Sequence, residues 1–311
     1  MEHAFIERLR RGVPTNERVR LGIGDDAAIL DTRQSETVLT VDLLTEGVDF
    51  LLEEVEPQWI GRKALAVNLS DLAAMAAVPT AVLVAVALPK DRAETLAPLL
   101  LEGMTPLLQK YKVALIGGDT NTWDGGLVIS VTALGRVTEY GSLKRRGANP
   151  GDRILVTGRL GGSRLRHQFL FEPRVHEALH LNAHDRINAA IDISDGLSLD
   201  LARLASESQV GAILDLPHIP ISEDAKTMAA EHIGASDAKS PLQHALYDGE
   251  DFELILAVPP DVARRLTETQ PLADSWGVPL TDIGEFVAEP GQWFRDQSGY
   301  SRQVTPQGFV H

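Results

Sequence analysis

The chain has 311 residues, of which 44% are hydrophobic and 23% charged, a composition typical of a globular protein long enough for two domains. Its net charge of −15 argues against non-specific binding to nucleic acids, which depends on basic residues that neutralise phosphates. The absence of cysteine excludes disulfides, thiolate nucleophiles and zinc–thiolate sites. With no signal-peptide core and no membrane-length apolar run, the sequence predicts a cytoplasmic protein that does not bind membranes.

The first half of the chain predicts helices alternating with strands. Pro57 is well suited to the first turn of a helix, where its missing N–H costs little, and the alanine-rich run that follows can pack closely on a sheet. Helices are predicted at 2–11, 57–77 and 92–110, and strands at 37–42, 81–88, 113–117 and 127–136.

The turn-forming Asn-Pro-Gly at 149–151 separates the two halves, so we expect domains at 1–146 and 147–311. The second half repeats the mixed pattern. Strands are predicted at 153–158, 187–192, 210–216, 251–258 and 281–287, and helices at 196–206, 223–232 and 260–269. The chain is therefore expected to be an α+β, or mixed α/β, protein of two domains.

Aspartates recur beside glycine or at the ends of apolar, strand-like runs. Any one of them could serve as a turn or helix cap, and Asp195 could cap a helix starting near Gly196. Their apolar flanks, however, place the set at the mouth of a core, where grouped carboxylates repel unless a cation joins them. The acidic residues in these segments are Asp25, Asp26, Asp42, Asp49, Asp71, Asp119, Asp192, Asp195, Asp248, Glu250 and Asp251.

Magnesium would meet that requirement, because it prefers carboxylate oxygens and water and is often completed by substrate phosphates. Mg²⁺ between carboxylates and ATP would also let an acidic protein bind an anionic nucleotide. The residues thus favour a magnesium-dependent phosphotransferase that uses ATP, provided that the aspartates converge in the fold.

Six segments carry a resemblance to a known family: GIGDDAAIL, VDLLTEGVDF, KALAVNLSDLAAMAAVP, LIGGDTN, IDISDGLSLDL and GEDFEL, in that order. Together they resemble the thiamine-monophosphate kinases, which share a wider ATP-binding group with aminoimidazole ribonucleotide synthetase and selenophosphate synthetase. The resemblance implies a two-domain aminoimidazole ribonucleotide synthetase-like fold. Its N-terminal α/β domain would bind ATP and magnesium and pair its sheet across a homodimer, and an α+β domain would follow.

The resemblance also implies the reaction, in which ATP and thiamine monophosphate give ADP and thiamine diphosphate by direct phosphoryl transfer with several Mg²⁺ ions and no general base. The implied magnesium ligands are Asp26, Thr40, Val41 through its carbonyl, Asp42, Asp71, Asp119, Asp192 and Asp195. The implied ATP contacts are Tyr111, Gly118, Asp119, Arg145 and Ser194. Asp49, Glu250 and Phe309 would contact the thiamine end of the substrate.

Three alternatives stay open at this point. One is another ATP-dependent synthetase or kinase of the same group that acts on a different phosphorylated substrate. Another is a catalytically inactive sensor of nucleotide or thiamine phosphate. The third is a zinc metallohydrolase, because His176, Glu177 and His180 match H-E-x-x-H. That segment otherwise predicts an exposed amphipathic helix with Val175 and Leu179 on its apolar face.

Overall fold

The computed structural model describes residues 19–21, 25–31, 36–231 and 238–309, so the helix predicted at 2–11 lies outside the described residues. The described chain forms two compact units. The N-terminal unit contains residues up to 141 together with 169–175, and the C-terminal unit contains 142–168 and 176–309. The domain boundary expected between 146 and 147 stays a prediction. In the described part of the chain, no helix combines the length and the apolar character needed to cross a bilayer.

The N-terminal unit contains a six-stranded sheet. Its strands are β1 (Val19–Leu21), β2 (Ala28–Asp31), β3 (Glu36–Thr45), β4 (Val78–Pro89), β5 (Ala114–Trp123) and β6 (Val128–Arg136). They lie in the order β1-β2-β3-β6-β4-β5, and every pair is antiparallel except β4 with β5. Parallel neighbours need a crossover connection, and here a helix between β4 and β5 provides it.

Two helices, α1 (Pro57–Ala74) and α2 (Ala93–Tyr111), belong to this unit. Most of α1 is buried, which fits a helix that is apolar nearly all round and rich in alanine. The two helices touch backbone to backbone at glycines. A Cβ atom on Gly61 would lie 2.1 Å from the carbonyl oxygen of Leu100, and one on Gly103 would lie 1.8 Å from that of Gln58.

The two faces of the sheet differ in burial. Along β6, buried residues alternate with half-buried ones, as expected when one face packs on helices.

The edge strand β5 is exposed on both faces, since all ten of its residues are exposed in the single chain. An exposed edge strand of this length presents unpaired backbone groups to a further partner.

The C-terminal unit contains a seven-stranded sheet in the order β13-β12-β9-β11-β7-β10-β8, antiparallel except for β9 with β12. Its core includes Ile154, Leu201, Ile255 and Phe286. The strands are β7 (Arg153–Thr157), β8 (Ala189–Asp192), β9 (Gly211–Asp215), β10 (Leu254–Val258), β11 (Leu280–Val287), β12 (Gln292–Arg295) and β13 (Ser301–Val304).

The later half of the chain adds seven helices within the described residues: α3 (His167–Leu170), α4 (Val175–His184), α5 (Leu197–Ser208), α6 (Glu223–Glu231), α7 (Pro241–Tyr247), α8 (Pro260–Thr269) and α9 (Pro271–Trp276). Short 3₁₀ turns lie at Ser163–Leu165 and Leu216–His218. Of these helices, α5, α6 and α8 coincide closely with predictions, whereas α3, α7 and α9 are too short for their periodicity to show in the sequence.

Two strands depart from the predicted bounds for identifiable reasons. The strand predicted at 113–117 continues to Trp123, because parallel pairing with β4 keeps residues of low strand propensity extended. The strand predicted at 251–258 begins only at Leu254, because Glu250 and Phe252 have φ angles of 55° and 50°, which no regular strand contains. Strands β1, β2, β12 and β13 were not predicted.

Helix α4 corrects the prediction of an exposed amphipathic helix. Val175, Glu177 and Ala178 are all buried, whereas His176 is exposed and Leu179 only half-buried. The buried face of the helix therefore includes an alanine and a glutamate, which a count of large apolar residues does not reveal.

The contact between α1 and α2 predicts a cost for a single added methyl group. Gly103→Ala should lower the free energy of unfolding by about 2 kcal/mol or more, because backbone atoms occupy the place of the new Cβ and the helices must move apart. Urea denaturation would measure it, with Gln109→Ala on the exposed side of α2 as the control. Equal stability of the two variants would contradict the close contact.

Candidate active site

In the N-terminal unit, three of the predicted magnesium ligands lie together. A carboxylate oxygen of Asp26 and one of Asp71 are within 4.8 Å of each other. The Thr40 hydroxyl donates to the Asp71 carboxylate and lies 3.4 Å from the Asp26 carbonyl oxygen. Asp26 and Thr40 are buried and Asp71 is half-buried, so the cluster is largely screened from solvent.

Strand β3 positions the next predicted ligands. Because side chains alternate along a strand, Thr40 and Asp42 point to the same face of the sheet, and Val41 points to the other. Val41 is 61% exposed, and because its side chain carries no ligand atom, its predicted contact with magnesium can come only from the backbone. Asp42 lies in the middle of β3 and not at a strand end.

A buried amide oxygen lies on the same helix as Asp71. Asn68 lies one turn before Asp71 on α1, is fully buried, and donates its amide to the Ala64 carbonyl at 3.1 Å. Its amide oxygen has no hydrogen-bond partner among the described residues. Carboxylate, hydroxyl and amide oxygens fit a hard cation such as Mg²⁺.

A fully buried lysine lies near a predicted substrate contact. The Lys63 ammonium donates to the Asp49 carbonyl at 3.2 Å and lies 5.0 Å from the centre of the Phe169 ring. The Asp49 carboxylate accepts the Thr45 N–H at 2.7 Å. The sequence prediction missed Lys63, although a basic residue within a helix that is otherwise buried nearly all round was a visible signal.

Strand β5 carries Gly118 and Asp119, both exposed in the single chain. A Cβ atom on Gly118 would lie 1.8 Å from the Val84 carbonyl oxygen, so this position of the parallel pair accepts only glycine. The Asp119 carboxylate accepts the N–H of Thr120 at 2.9 Å. The strand therefore presents a backbone segment and a carboxylate to solvent at the sheet edge.

Tyr111, predicted to contact ATP, is buried at the end of α2. Its hydroxyl lies 2.6 Å from a Glu172 carboxylate oxygen and 2.9 Å from the Pro173 carbonyl oxygen. Lys110 also pairs with Glu172, at 2.7 Å. These contacts give Tyr111 a structural role, and its predicted contact with nucleotide stays a prediction.

In the C-terminal unit, the two remaining predicted acidic ligands lie at the end of β8 and in the loop that follows it. Asp192 is the last residue of that strand and Asp195 follows in the loop before α5, both buried, with the half-buried Ser194 between them. The sequence allowed Asp195 to be a helix cap. The structure contradicts that alternative, because α5 has Gly196 at its N-cap position and no side-chain cap.

Asp200 organises this loop, and the sequence prediction missed it. One oxygen of its carboxylate accepts the backbone N–H groups of Ser194, Asp195 and Gly196 at 3.0, 2.8 and 3.1 Å. Burial raises the pKa of Asp200 to about 7, and the positive charge of Arg203 acts against that rise. Asp200 lies in the first turn of α5, so the sequence pattern predicted only an ordinary helical residue there.

Glu250, predicted to bind substrate, is fixed against the same loop. Its N–H donates to the Ser194 carbonyl at 2.7 Å, and the N–H of Phe252 donates to the Ile193 carbonyl at 2.8 Å. The backbone of both Glu250 and Phe252 is in the left-handed region, with φ angles of 55° and 50°. This conformation costs a non-glycine residue free energy and often occurs at functional sites.

Phe309 meets this loop as well. Its N–H donates to the Asp195 carbonyl at 2.9 Å, and its side chain is 47% exposed. The half-buried Arg145 lies close enough for its charge to lower the pKa of Asp200 against the effect of burial. The C-terminal unit thus brings Ser194, Asp195, Glu250, Phe309 and Arg145 into one region.

The zinc alternative receives no support from the geometry. Within the described residues, His176, Glu177 and His180 do not form a group whose ligand atoms all lie within 4.8 Å of one another. Glu177 is buried while His176 is exposed, so the helix directs them to different environments. The His180 ring instead stacks on His184, with centroids 4.4 Å apart.

Comparison with known proteins identifies the architecture first. Residues 24–137 match the AIR synthase related protein, N-terminal domain, and residues 149–295 match the corresponding C-terminal domain. A thiamine-monophosphate kinase of Rhodopirellula baltica is 44% identical over 319 residues, covering 100% of this chain and 97% of the relative. The chain therefore belongs to the thiamine-monophosphate kinase family of AIR synthase related proteins, which confirms the resemblance seen in its motifs.

Solved structures agree with this assignment. The structure described as AaThiL complexed with AMPPCP and TMP aligns with a TM-score of 0.80 and 27% identity, over 100% of this chain and 95% of the other. Thiamine-monophosphate kinase from Stenotrophomonas maltophilia K279a aligns with a TM-score of 0.74 and 36% identity, over 94% and 95%. The predicted two-domain aminoimidazole ribonucleotide synthetase-like fold is confirmed.

The hydrogen bonds of Asp200 predict a large effect of its removal. Asp200→Ala should lower the free energy of unfolding by about 3 kcal/mol, because buried N–H groups lose their acceptor. Asp200→Asn, which keeps an acceptor oxygen, should cost less. Chemical denaturation would measure both, with the exposed Ser206→Ala on the same helix as control. An alanine variant as stable as the control would refute the role of Asp200.

Proposed function

We propose that this chain transfers the γ-phosphoryl group of ATP to thiamine monophosphate and forms thiamine diphosphate and ADP. The observation that carries the proposal is the full-length relationship to thiamine-monophosphate kinases, at up to 44% identity among the relatives compared. The solved relative complexed with AMPPCP and TMP supports both substrates. The acidic clusters of the two units supply the chemistry that such a transfer requires.

The reaction needs alignment and charge neutralisation more than proton transfer. An oxygen of the phosphate monoester of thiamine monophosphate bonds to the γ-phosphorus, and the bond from that phosphorus to the β–γ bridging oxygen breaks, with its electron pair leaving on ADP. The attacking oxygen is already anionic, so no residue has to act as general base. Catalysis of this kind depends on positioning and electrostatic stabilisation.

The metal assignment extends the same logic. We assign magnesium binding to Asp26, Thr40, the carbonyl of Val41, Asp42, Asp71, Asp119, Asp192 and Asp195. When bound, Mg²⁺ neutralises charge between these oxygens and the phosphates of ATP. The contact of Asp26, Thr40 and Asp71 and the buried amide oxygen of Asn68 support this role.

The nucleotide and substrate contacts are assigned from the resemblance of the sequence motifs to those of the thiamine-monophosphate kinases. We assign Gly118, Asp119, Arg145, Ser194 and Tyr111 to ATP, and Asp49, Glu250 and Phe309 to the thiamine end. A carboxylate beside the cationic thiazolium is favourable, and an aromatic face can stack on it.

In steady-state kinetics, Phe309→Ala should raise KM for thiamine monophosphate more than it lowers kcat, because the variant loses the aromatic face that stacks on the substrate. An unchanged KM would remove Phe309 from the substrate site.

A homodimer is the proposed assembly, in a cytoplasmic setting that the lack of cysteine suits. The edge strand β5 exposes Leu115 and Ile116, and β3 exposes Val41 and Leu43, at 41–61% of each residue's area. Exposed apolar residues on an open sheet favour pairing with a second copy. Sedimentation equilibrium that gave a monomeric mass at micromolar concentration would contradict the dimer.

Another phosphorylated acceptor is the second candidate function. The observation in its favour is the basic content of the segment 157–169, which contains Arg159, Arg164 and Arg166. This segment contacts the GEDFEL loop, because the Nε2 atom of His167 lies 3.0 Å from the Asp251 carbonyl oxygen.

The decisive assay measures product formation by the purified chain. With ATP, MgCl₂ and thiamine monophosphate, thiamine diphosphate should form, and it should not form with free thiamine or in excess EDTA. Chromatographic separation of the thiamine phosphates would record both. If ATP binds with a magnesium requirement but no thiamine diphosphate forms, the acceptor is wrong and other phosphorylated compounds have to be screened.

The metal cluster predicts a specific loss. Asp71→Asn should lower kcat by roughly 100-fold and raise the magnesium concentration needed for ATP binding, because it removes a charged oxygen from the cluster. Steady-state kinetics and nucleotide titrations would measure these effects. Asp124→Asn, at an 86% exposed side chain, is the matched control. Unchanged turnover in Asp71→Asn would overturn the metal assignment.

A further inference from the structure

Arg203 lies on α5 and holds two carboxylates of the loop at once. One guanidinium nitrogen of Arg203 lies 2.5 Å from a carboxylate oxygen of Asp195 and 2.7 Å from one of Asp200. The Asp195 side chain is 10% exposed and that of Asp200 is 1% exposed, so the three charges interact in a setting that water screens only partly. Arg203 was not among the residues predicted to be functional.

The two carboxylates have different roles in this arrangement. Asp200 is committed to the backbone, since its other oxygen accepts three consecutive N–H groups. Asp195 is assigned to magnesium under the proposed function, yet one of its oxygens contacts the guanidinium. A guanidinium and a divalent cation at the same carboxylate repel each other, so the two compete for Asp195.

We propose that Arg203 is a positioning residue that serves as an exchangeable counter-ion: without metal it holds the Asp195 carboxylate in place, and it gives way when a divalent cation binds there. The inference rests on the proposed function, because only that assignment makes Asp195 a metal ligand. Asp200 keeps the second contact to Arg203, so the guanidinium can turn from Asp195 without losing its buried partner.

Two consequences follow. In the metal-free chain, Arg203 offsets the repulsion between Asp195 and Asp200, which are both buried and acidic. In the metal-bound chain, its charge opposes the cation and raises the metal concentration that the loop requires. Arg203 thus raises the divalent-cation concentration at which Asp195 binds metal.

Mn²⁺, whose unbound form gives an electron paramagnetic resonance signal, is the direct probe and needs neither nucleotide nor thiamine monophosphate. Arg203→Gln should bind Mn²⁺ roughly threefold or more tightly than the unsubstituted chain, because a repelling charge is gone. Arg203→Lys, which keeps the charge, should stay within about twofold of the unsubstituted chain. Mg²⁺ should displace the bound Mn²⁺ in each case.

Arg295→Gln is the matched control, because Arg295 also bridges two carboxylates of the C-terminal unit, Asp215 and Glu285, and is assigned no metal or substrate contact. Its Mn²⁺ affinity should equal that of the unsubstituted chain. Equal or weaker binding by Arg203→Gln, or equally tight binding by Arg203→Lys and Arg203→Gln, would overturn the proposal.

A measurement on the unsubstituted chain covers the case in which Arg203→Gln fails to fold. Side-chain NMR of Arg203 should show faster exchange of its N–H protons with water as Mg²⁺ is added, because the contact with Asp195 is given up. Unchanged exchange at saturating Mg²⁺ would refute the idea. Since neither measurement includes thiamine monophosphate, failure of the substrate assignment would be seen separately, in the product assay.

Discussion

Repulsion between carboxylates is the constraint on which this structure depends. The chain carries 44 acidic and 29 basic residues and places several of the acids in buried positions. Each such group is stable only if hydrogen bonds or cations offset the repulsion. In the N-terminal unit, the hydroxyl of Thr40 contacts Asp71. In the C-terminal unit, Arg203 and three backbone amides take that role.

Each unit positions its acids by a different device. The N-terminal unit uses regular structure, because Thr40 and Asp42 follow the alternation of β3 and Asp71 lies on a buried helix. The C-terminal unit uses loops that brace one another, with Ser194 accepting from Glu250 and Asp195 accepting from Phe309. A rigid helix and strand define positions directly, whereas a loop needs a second loop and a buried anchor such as Asp200.

The sequence predicted what local patterns encode. The long helices, most central strands and the family followed from periodicity and ordered motifs, and the meeting of Asp26 with Asp71 agrees with the expected convergence. The roles of Asp200 and Arg203 were not predictable, because they depend on contacts between residues whose spacing carries no signature. The same limit hid the true length of β5, which pairing with β4 determines. Lys63 differs, since a lysine within an apolar, alanine-rich helix was visible in the sequence. The individual ligand roles stay predictions.

The two left-handed residues of the loop before β10 also bear on how this protein can be improved. Glycine at position 250 or 252 would adopt the observed φ angles without strain and would relieve about 1 kcal/mol at each. At position 250 that gain would remove the carboxylate itself. Engineering for heat tolerance would therefore select against the substrate contact proposed for Glu250. At position 252, glycine would remove a buried aromatic side chain from the core. The strained backbone at 250 and 252 and the carboxylate proposed to bind substrate therefore lie in the same short loop.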